Sequence, residues 1–303
     1  MKKFATLGEA MPDIHVVRSY GKINWFLSIG HLRKDGYHEI CSLMQKISLY
    51  DEIEVVLAPS DSITCNYSVP VGEKSLLGKT LATLRELYPC LSGIGLAVKI
   101  RKRIPPGSGL GGGSSNVAAL LLSVPAFLGL PDVRQKVVAL APALGSDVPF
   151  FIHKVPFALV RGRGEDVVTL HPSPSYFLVL LFPSFPISTA WAYRKWDEEL
   201  GNFETLAQEG RRALDRFLKN GNREMFEKAI WNDFEPLVFR YYPVLKMYRE
   251  ILLGLGCRKV FMTGSGSTLV GVVENRGQGE KVVEELSQRG MNAILTSTLV
   301  EEL

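Results

Sequence analysis

The sequence predicts a mixed helix-and-strand protein of two domains, and three observations carry that reading. The chain is 303 residues long, more than a single hydrophobic core usually organises. Helical and strand signals alternate along its whole length, without an internal repeat or a low-complexity tract. A proline- and serine-rich run, His171-Pro-Ser-Pro-Ser175, precedes the most apolar segment, so the junction is placed there, with domains 1–173 and 174–303.

Each element follows from its local pattern. Ile23 to Ile29 reads as a strand whose alternation sets Lys22 and Asn24 on one face and Ile23 and Trp25 on the other. Glu52 to Leu57 and Leu96 to Ile104 are the next strands. In the latter, Leu96, Val98, Ile100 and Ile104 share one face while Lys99, Arg101 and Arg103 point away, and that basic side reads as solvated. Pro105-Pro106 cannot continue a sheet ladder. A helix is predicted from about Ser115 through Leu122, and Leu130-Pro131-Asp132 is a loop closing onto another. The second half predicts a strand at Phe177–Phe182 and helices near 191–199, 205–218 and 242–253. It ends with a strand at Lys259–Met262, a Gly/Ser turn, a strand from Leu269 and a helix.

Composition narrows the function. The chain is 46% hydrophobic and 22% charged with a formal net charge of +4, ordinary for a soluble globular protein. That charge suits an anionic small molecule and argues against a nucleic-acid partner. Cys41, Cys65, Cys90 and Cys257 form no Cys-x-x-Cys pair, so neither a disulfide framework nor a zinc site is expected. Gly8, Glu9 and Asp13 interrupt the stretch after Met1-Lys2-Lys3-Phe4, and no signal peptide is predicted. Phe177–Phe182 is too short to span a bilayer. A cytoplasmic protein without a membrane partner is the expectation, as a monomer or homodimer.

The most informative stretch is Pro105, Pro106, Gly107, Ser108, Gly109, Leu110, Gly111, Gly112, Gly113, Ser114 and Ser115. Glycines let backbone N–H groups converge on an anion, and a following helix adds its unpaired N–H groups and positive dipole end. Strand, diproline, glycine loop and apolar helix are not the context of a flexible linker. Gly107-x-Gly109-x-x-Gly112 fits the dinucleotide fingerprint formally, but Asp132 stands at a predicted helix start and not at a strand end. No lysine precedes Ser114 as a Walker A loop requires, and Gly72–Thr80 reads as a helix entry. His-Arg-Asp and Asp-Phe-Gly segments are absent, so this is not a protein-kinase loop. Asp147, on a turn before an apolar run, reads either as a carboxylate facing a cleft or as a helix N-cap.

Three segments in order resemble the motifs of the GHMP kinases: Ser19–Leu27, the glycine-rich segment, and Thr263–Thr268. Lys22-Ile-Asn24, Asp35-Gly-Tyr37-His38-Glu39, the triple glycine and Gly145-Ser-Asp147-Val-Pro-Phe-Phe151 are similar to the branch of that family that acts on a cytidine-diphosphate-linked alcohol for non-mevalonate isoprenoid synthesis. The resemblance implies an α+β fold, with a ribosomal S5-like N-terminal domain that grips ATP and a ferredoxin-like C-terminal domain. Asp147 is then the catalytic base, with Lys22 beside it to keep it ionised and to stabilise charge on the transferring phosphoryl group. Residues 105–115 bind ATP, which serves as co-substrate with Mg²⁺, and the metal ligand is left unassigned. Asn24, Tyr37, His38 and Tyr193 bind the acceptor, with Phe185 and Trp191 competing with Tyr193 for the base-stacking role. Thr263–Thr268 supports the site. Rival readings are a kinase of the same family for mevalonate, phosphomevalonate or homoserine, and a non-catalytic regulator of the same fold.

Overall fold

An Asp-Gly turn sets up the first two strands. Gly36 takes φ +82°, the Asp35 carboxylate accepts the Tyr37 N–H, and the Arg33 N–H reaches the Tyr37 carbonyl at 2.7 Å. It joins β1 (His15–Leu32) to β2 (His38–Ala58). The structure, a computed structural model, describes residues 14–301 except 69, 71, 73, 200–203 and 222. The N-terminal stretch expected to carry no signal peptide therefore lies largely outside the described residues.

After β2 come β3 (Ser62–Cys65), α1 (Leu76–Leu87), β4 (Gly95–Arg101), α2 (Gly112–Phe127), α3 (Arg134–Leu144) and α4 (Val148–Ile152). Then follow β5 (Phe157–Gly162), β6 (Asp166–Thr169), β7 (Phe177–Phe182), α5 (Thr189–Glu199), α6 (Glu204–Asn220) and α7 (Arg223–Lys228). The chain continues through β8 (Trp231–Asn232), α8 (Phe234–Tyr241), α9 (Val244–Gly254), β9 (Lys259–Met262), β10 (Leu269–Val273), α10 (Arg276–Gln288) and β11 (Asn292–Ser297). No helix among the described residues is long and apolar enough to cross a membrane.

These elements form two compact units, each assembled from separate stretches of chain. The first comprises residues up to Tyr20, Tyr50–Pro106 and Gly112–His153; the second comprises Gly21–Leu49, Gly107–Gly111 and everything from Lys154 on.

In the first unit, the end of β2 runs antiparallel to β4, with Glu52 opposite Arg101 and Ala58 opposite Gly95, and β3 lies parallel to β4. Ile53, Val55, Val98 and Ile100 point into the core from these strands. The basic face is solvated as expected: Lys99 pairs with Glu54 at 3.1 Å with its side chain 58% exposed, a contact of small energetic weight. α2 packs against α1, α3 and α4, which suits its buried Val117, Leu120, Leu121 and Val124. Ser75 caps α1 by accepting the Gly78 N–H.

Two expected boundaries shift in this unit. β4 stops at Arg101 and not Ile104, because the Arg103 and Ile104 N–H groups turn to the Asp51 carboxylate. α2 begins at Gly112, three residues before the expected start. Gly107, Gly109 and Gly111 take positive φ and make the loop, leaving Gly112 and Gly113 to enter the helix.

In the second unit, the start of β2 pairs with β5, β5 with β6, and β8 lies parallel to β1 at Phe26 and Leu27. A separate antiparallel sheet has the order β11-β7-β10-β9. Along the chain β7, helices, β9 and β10, α10 and β11 follow one another, and with that strand order they form the ferredoxin-like arrangement that the family resemblance implied. Trp25 anchors the core, fully buried, with ring centroids 5.1 Å from Tyr176 and Phe226 and 5.3 Å from Phe261.

Candidate active site

Within the second unit, strand alternation puts Lys22 and Asn24 on one face of β1, and both are buried, at 3% and 2% exposure. Facing water is thereby ruled out for either, and a buried ammonium needs partners. Lys22 Nζ donates to Asn24 Oδ1 at 2.7 Å and to the Gly109 carbonyl at 2.9 Å. The Lys22 N–H also donates to the Leu110 carbonyl. A buried cation is thus bonded directly to the glycine-rich loop. Asn24 is held in turn: its Nδ2 donates to Ser42 Oγ, and its backbone N–H donates to Thr263 Oγ1.

The Thr263–Thr268 loop joins this group. A Cβ at Gly109, where φ is +78°, would stand 2.4 Å from the Thr263 carbonyl oxygen, so the two loops meet backbone to backbone and only glycine fits. Asn232, which the sequence reading did not single out, fixes the loop from below. Its Nδ2 donates to the Met262 and Gly264 carbonyls, and its Oδ1 accepts the Phe234 N–H. Ser265 and Ser267 bond Thr189 and the Phe185 carbonyl. These bonds brace the loop against its neighbours, and it is more than a plain turn.

A second cluster of the same unit gathers His38 and Tyr193, with ring centroids 5.2 Å apart and planes 18° from parallel. His38 is 8% exposed. Its Nδ1 is 3.0 Å from the Gly30 carbonyl, which can only accept, so Nδ1 carries the hydrogen. Nε2 is 2.9 Å from Asp197 Oδ1, an ion-pair distance, yet it is buried without an aligned hydrogen-bond partner. Asp197 stands one turn beyond Tyr193 on α5, and that i, i+4 spacing is the signal that could have revealed it. Phe185 stacks on Tyr242, and Trp191 meets Tyr241 and Tyr242 edge-on, so of the three aromatics Tyr193 is the one beside His38. Tyr37 does not join the stack. Half exposed, it lies under the Arg163 guanidinium.

Within the first unit, Pro105 and Pro106 leave β4, and Gly112, Gly113, Ser114 and Ser115 form the first turn of α2. Gly107, Ser108, Gly109, Leu110 and Gly111 belong to the second unit. Ser115 Oγ accepts from Ser19 Oγ at 2.7 Å. Ser114 Oγ lies against Gly145, 3.4 Å from where a Cβ there would stand, which brings the helix start to the turn that carries Asp147. Asp147 occupies the N-cap position of α4, but its side chain makes no capping hydrogen bond. Capping therefore does not account for the carboxylate. A cavity of about 340 Å³ in the second unit, between Phe157, Tyr176, Phe217 and Phe226, contains none of these residues.

A glycine-rich helix entry and a ferredoxin-like sheet in one chain correspond to a known class. Residues 75–154 match the GHMP kinases N-terminal domain and residues 212–292 the GHMP kinases C-terminal domain. The chain belongs to the GHMP kinase family. It is 34% identical, over 92% of its length and 96% of the relative, to a protein of Geobacter sp. (strain M21) named 4-diphosphocytidyl-2-C-methyl-D-erythritol kinase. The protein of that name from Moorella thermoacetica is 34% identical over 95% of this chain and 100% of the relative. A crystal structure of 4-(cytidine 5′-diphospho)-2C-methyl-D-erythritol kinase, 31% identical, aligns with a TM-score of 0.73 over 93% of this chain and 98% of that one. Homoserine kinase from Cytophaga hutchinsonii reaches 0.72 at 15% identity, a likeness of fold alone.

Proposed function

We propose that the chain is an ATP-dependent kinase that phosphorylates the 2-hydroxyl of 4-diphosphocytidyl-2-C-methyl-D-erythritol in non-mevalonate isoprenoid precursor synthesis, working in the cytoplasm. The observation that carries the substrate reading is His38: buried, stacked on Tyr193, with Nε2 lacking an aligned hydrogen bond. The Gly30 carbonyl holds Nδ1, which leaves Nε2, beside the Asp197 carboxylate, as the ring nitrogen that can meet the polar edge of a base. Tyr193 supplies an aromatic wall beside His38, and Tyr37, half exposed, stands in the turn between β1 and β2. The names of relatives at 34% identity support the same substrate.

Phosphoryl transfer asks a protein mainly to position the reactants and to neutralise developing charge. Asp147 accepts the proton of the attacking hydroxyl as the general base of the transfer. Lys22 supplies positive charge for the transferring phosphoryl group, and its bond to the Gly109 carbonyl couples that charge to the loop. Asn24, immobilised by Ser42 and Thr263, orients the acceptor. Residues 105–115 hold the ATP phosphates through backbone N–H groups and the start of α2.

Among the described residues no group of three or more His, Cys, Asp or Glu could hold a metal ion. That fits Mg²⁺ arriving on the nucleotide, since this ion is commonly bound through substrate phosphates with few protein ligands. Ser114 or Ser115, in the first turn of α2, would offer it a hydroxyl. When bound, the ion neutralises β- and γ-phosphate charge.

The test is Asp147→Asn. Loss of the base should lower kcat by about 10²–10⁴-fold while ATP still protects the protein against thermal unfolding. Retention of kcat within threefold would remove Asp147 from the mechanism.

A further inference from the structure

A buried polar cluster underlies the first turn of α2, and its centre, Asp51, lies in none of the motifs above. Asp51 is fully buried in β2. Its Oδ1 accepts the backbone N–H groups of Arg103 and Ile104 at 2.8 and 2.9 Å. Its Oδ2 accepts from Lys102 Nζ at 2.5 Å and from Asn116 Nδ2 at 3.0 Å. Lys102 Nζ also donates to Asn116 Oδ1, and the second N–H of Asn116 goes to Ser19 Oγ, which donates to Ser115 Oγ. A Cβ at Gly112 would stand 3.4 Å from Lys102 Nζ and 2.9 Å from Ile104 Cγ2.

The glycine-rich segment starts just past Ile104, three residues beyond the end of β4 at Arg101, and re-enters regular structure at Gly112. One carboxylate therefore ties down both ends: the strand exit directly, and the helix entry through Lys102 and Asn116. Stability alone does not call for this arrangement, because apolar residues of similar volume often replace a buried ion pair without loss. A loop that presents N–H groups to an anion does need fixed ends, since glycines otherwise sample many conformations. We propose that Asp51 is a positioning residue for nucleotide binding, acting through Lys102 and Asn116 on the first turn of α2. The proposal rests on the kinase reading above.

The experiment compares Asp51→Asn and Asn116→Ala with the wild type. It reads KM for ATP, KM for the cytidyl acceptor, and the rise in unfolding temperature produced by ATP–Mg²⁺. An amide at 51 must aim its NH₂ at two backbone donors or at Lys102 and Asn116, so it cannot satisfy all four. Asn116→Ala leaves the grip on Arg103 and Ile104 intact and removes the α2 side chain that Asp51, Lys102 and Ser19 share. For both variants the ATP KM should rise about tenfold, the acceptor KM should stay within twofold, and the nucleotide-induced rise should shrink. If Asp51→Asn does not fold, Asn116→Ala decides. A folded variant with a lower unfolding temperature but unchanged ATP KM and nucleotide-induced rise would overturn the proposal. A wild type that ATP–Mg²⁺ does not stabilise would overturn the kinase reading first, and this proposal with it.

Discussion

Lys22→Met separates catalysis from folding at a single buried position. Lys22 is 3% exposed and donates to Asn24 Oδ1 and the Gly109 carbonyl. Methionine matches its length but carries neither charge nor donors. Two acceptors lose partners, each worth about 1–3 kcal/mol when left buried, while a buried charge no longer has to be desolvated, an offset of similar size. The net change in folding stability is therefore small, about 1 kcal/mol in either direction. Transition-state charge has no such offset. Loss of one preorganised electrostatic group costs about 10²–10³-fold in kcat. Coupled ADP release gives kcat, and urea unfolding gives stability. A kcat within tenfold of wild type, in a protein of normal stability, would refute the role given to Lys22.

The remaining predictions concern base recognition, loop contact and titration. His38→Phe keeps a ring against Tyr193 but removes Nε2, so the KM for the cytidyl acceptor should rise about tenfold or more while that for ATP holds; equal changes in both would contradict a base-binding role. Gly109→Ala forces a side chain into φ +78° and to 2.4 Å from the Thr263 carbonyl, so a loss of at least about 2 kcal/mol is expected, and an unchanged urea midpoint would show that the loops do not meet. Burial pushes the Glu235 carboxyl above its ordinary value, against the opposing pull of the Met262 N–H and of Arg249. A carboxyl that binds its proton more tightly when folded favours the fold at low pH and loses that advantage as pH rises from its unfolded to its raised folded value. Stability of the wild type relative to Glu235→Gln should fall across that window, and a difference independent of pH would contradict the shift.

The sequence was legible where a pattern is local. Phe177–Phe182 is a strand because a short apolar run follows a proline cluster, and α5 and α9 follow from helical spacing. The pairing of Lys22 with Asn24 on one strand face required only period two. What escaped depends on contacts between distant stretches. Nothing near Asp51 announces that it will take the N–H groups of Arg103 and Ile104, which is why β4 was expected to run three residues too far. Nothing near Asn232 announces that it will hold the carbonyls of Met262 and Gly264. That Tyr193 lies beside His38 while Phe185 and Trp191 meet Tyr242 likewise depends on contacts between distant stretches.

The most direct measurement is steady-state ADP release with ATP–Mg²⁺ and three acceptors in parallel: 4-diphosphocytidyl-2-C-methyl-D-erythritol, mevalonate and homoserine. Turnover with the cytidyl acceptor, and a kcat/KM for the other two at least about 10³-fold lower, is the predicted result. Equal or better turnover with mevalonate or homoserine would contradict the substrate assignment, and no turnover with any acceptor by a protein that binds ATP would contradict the kinase reading itself.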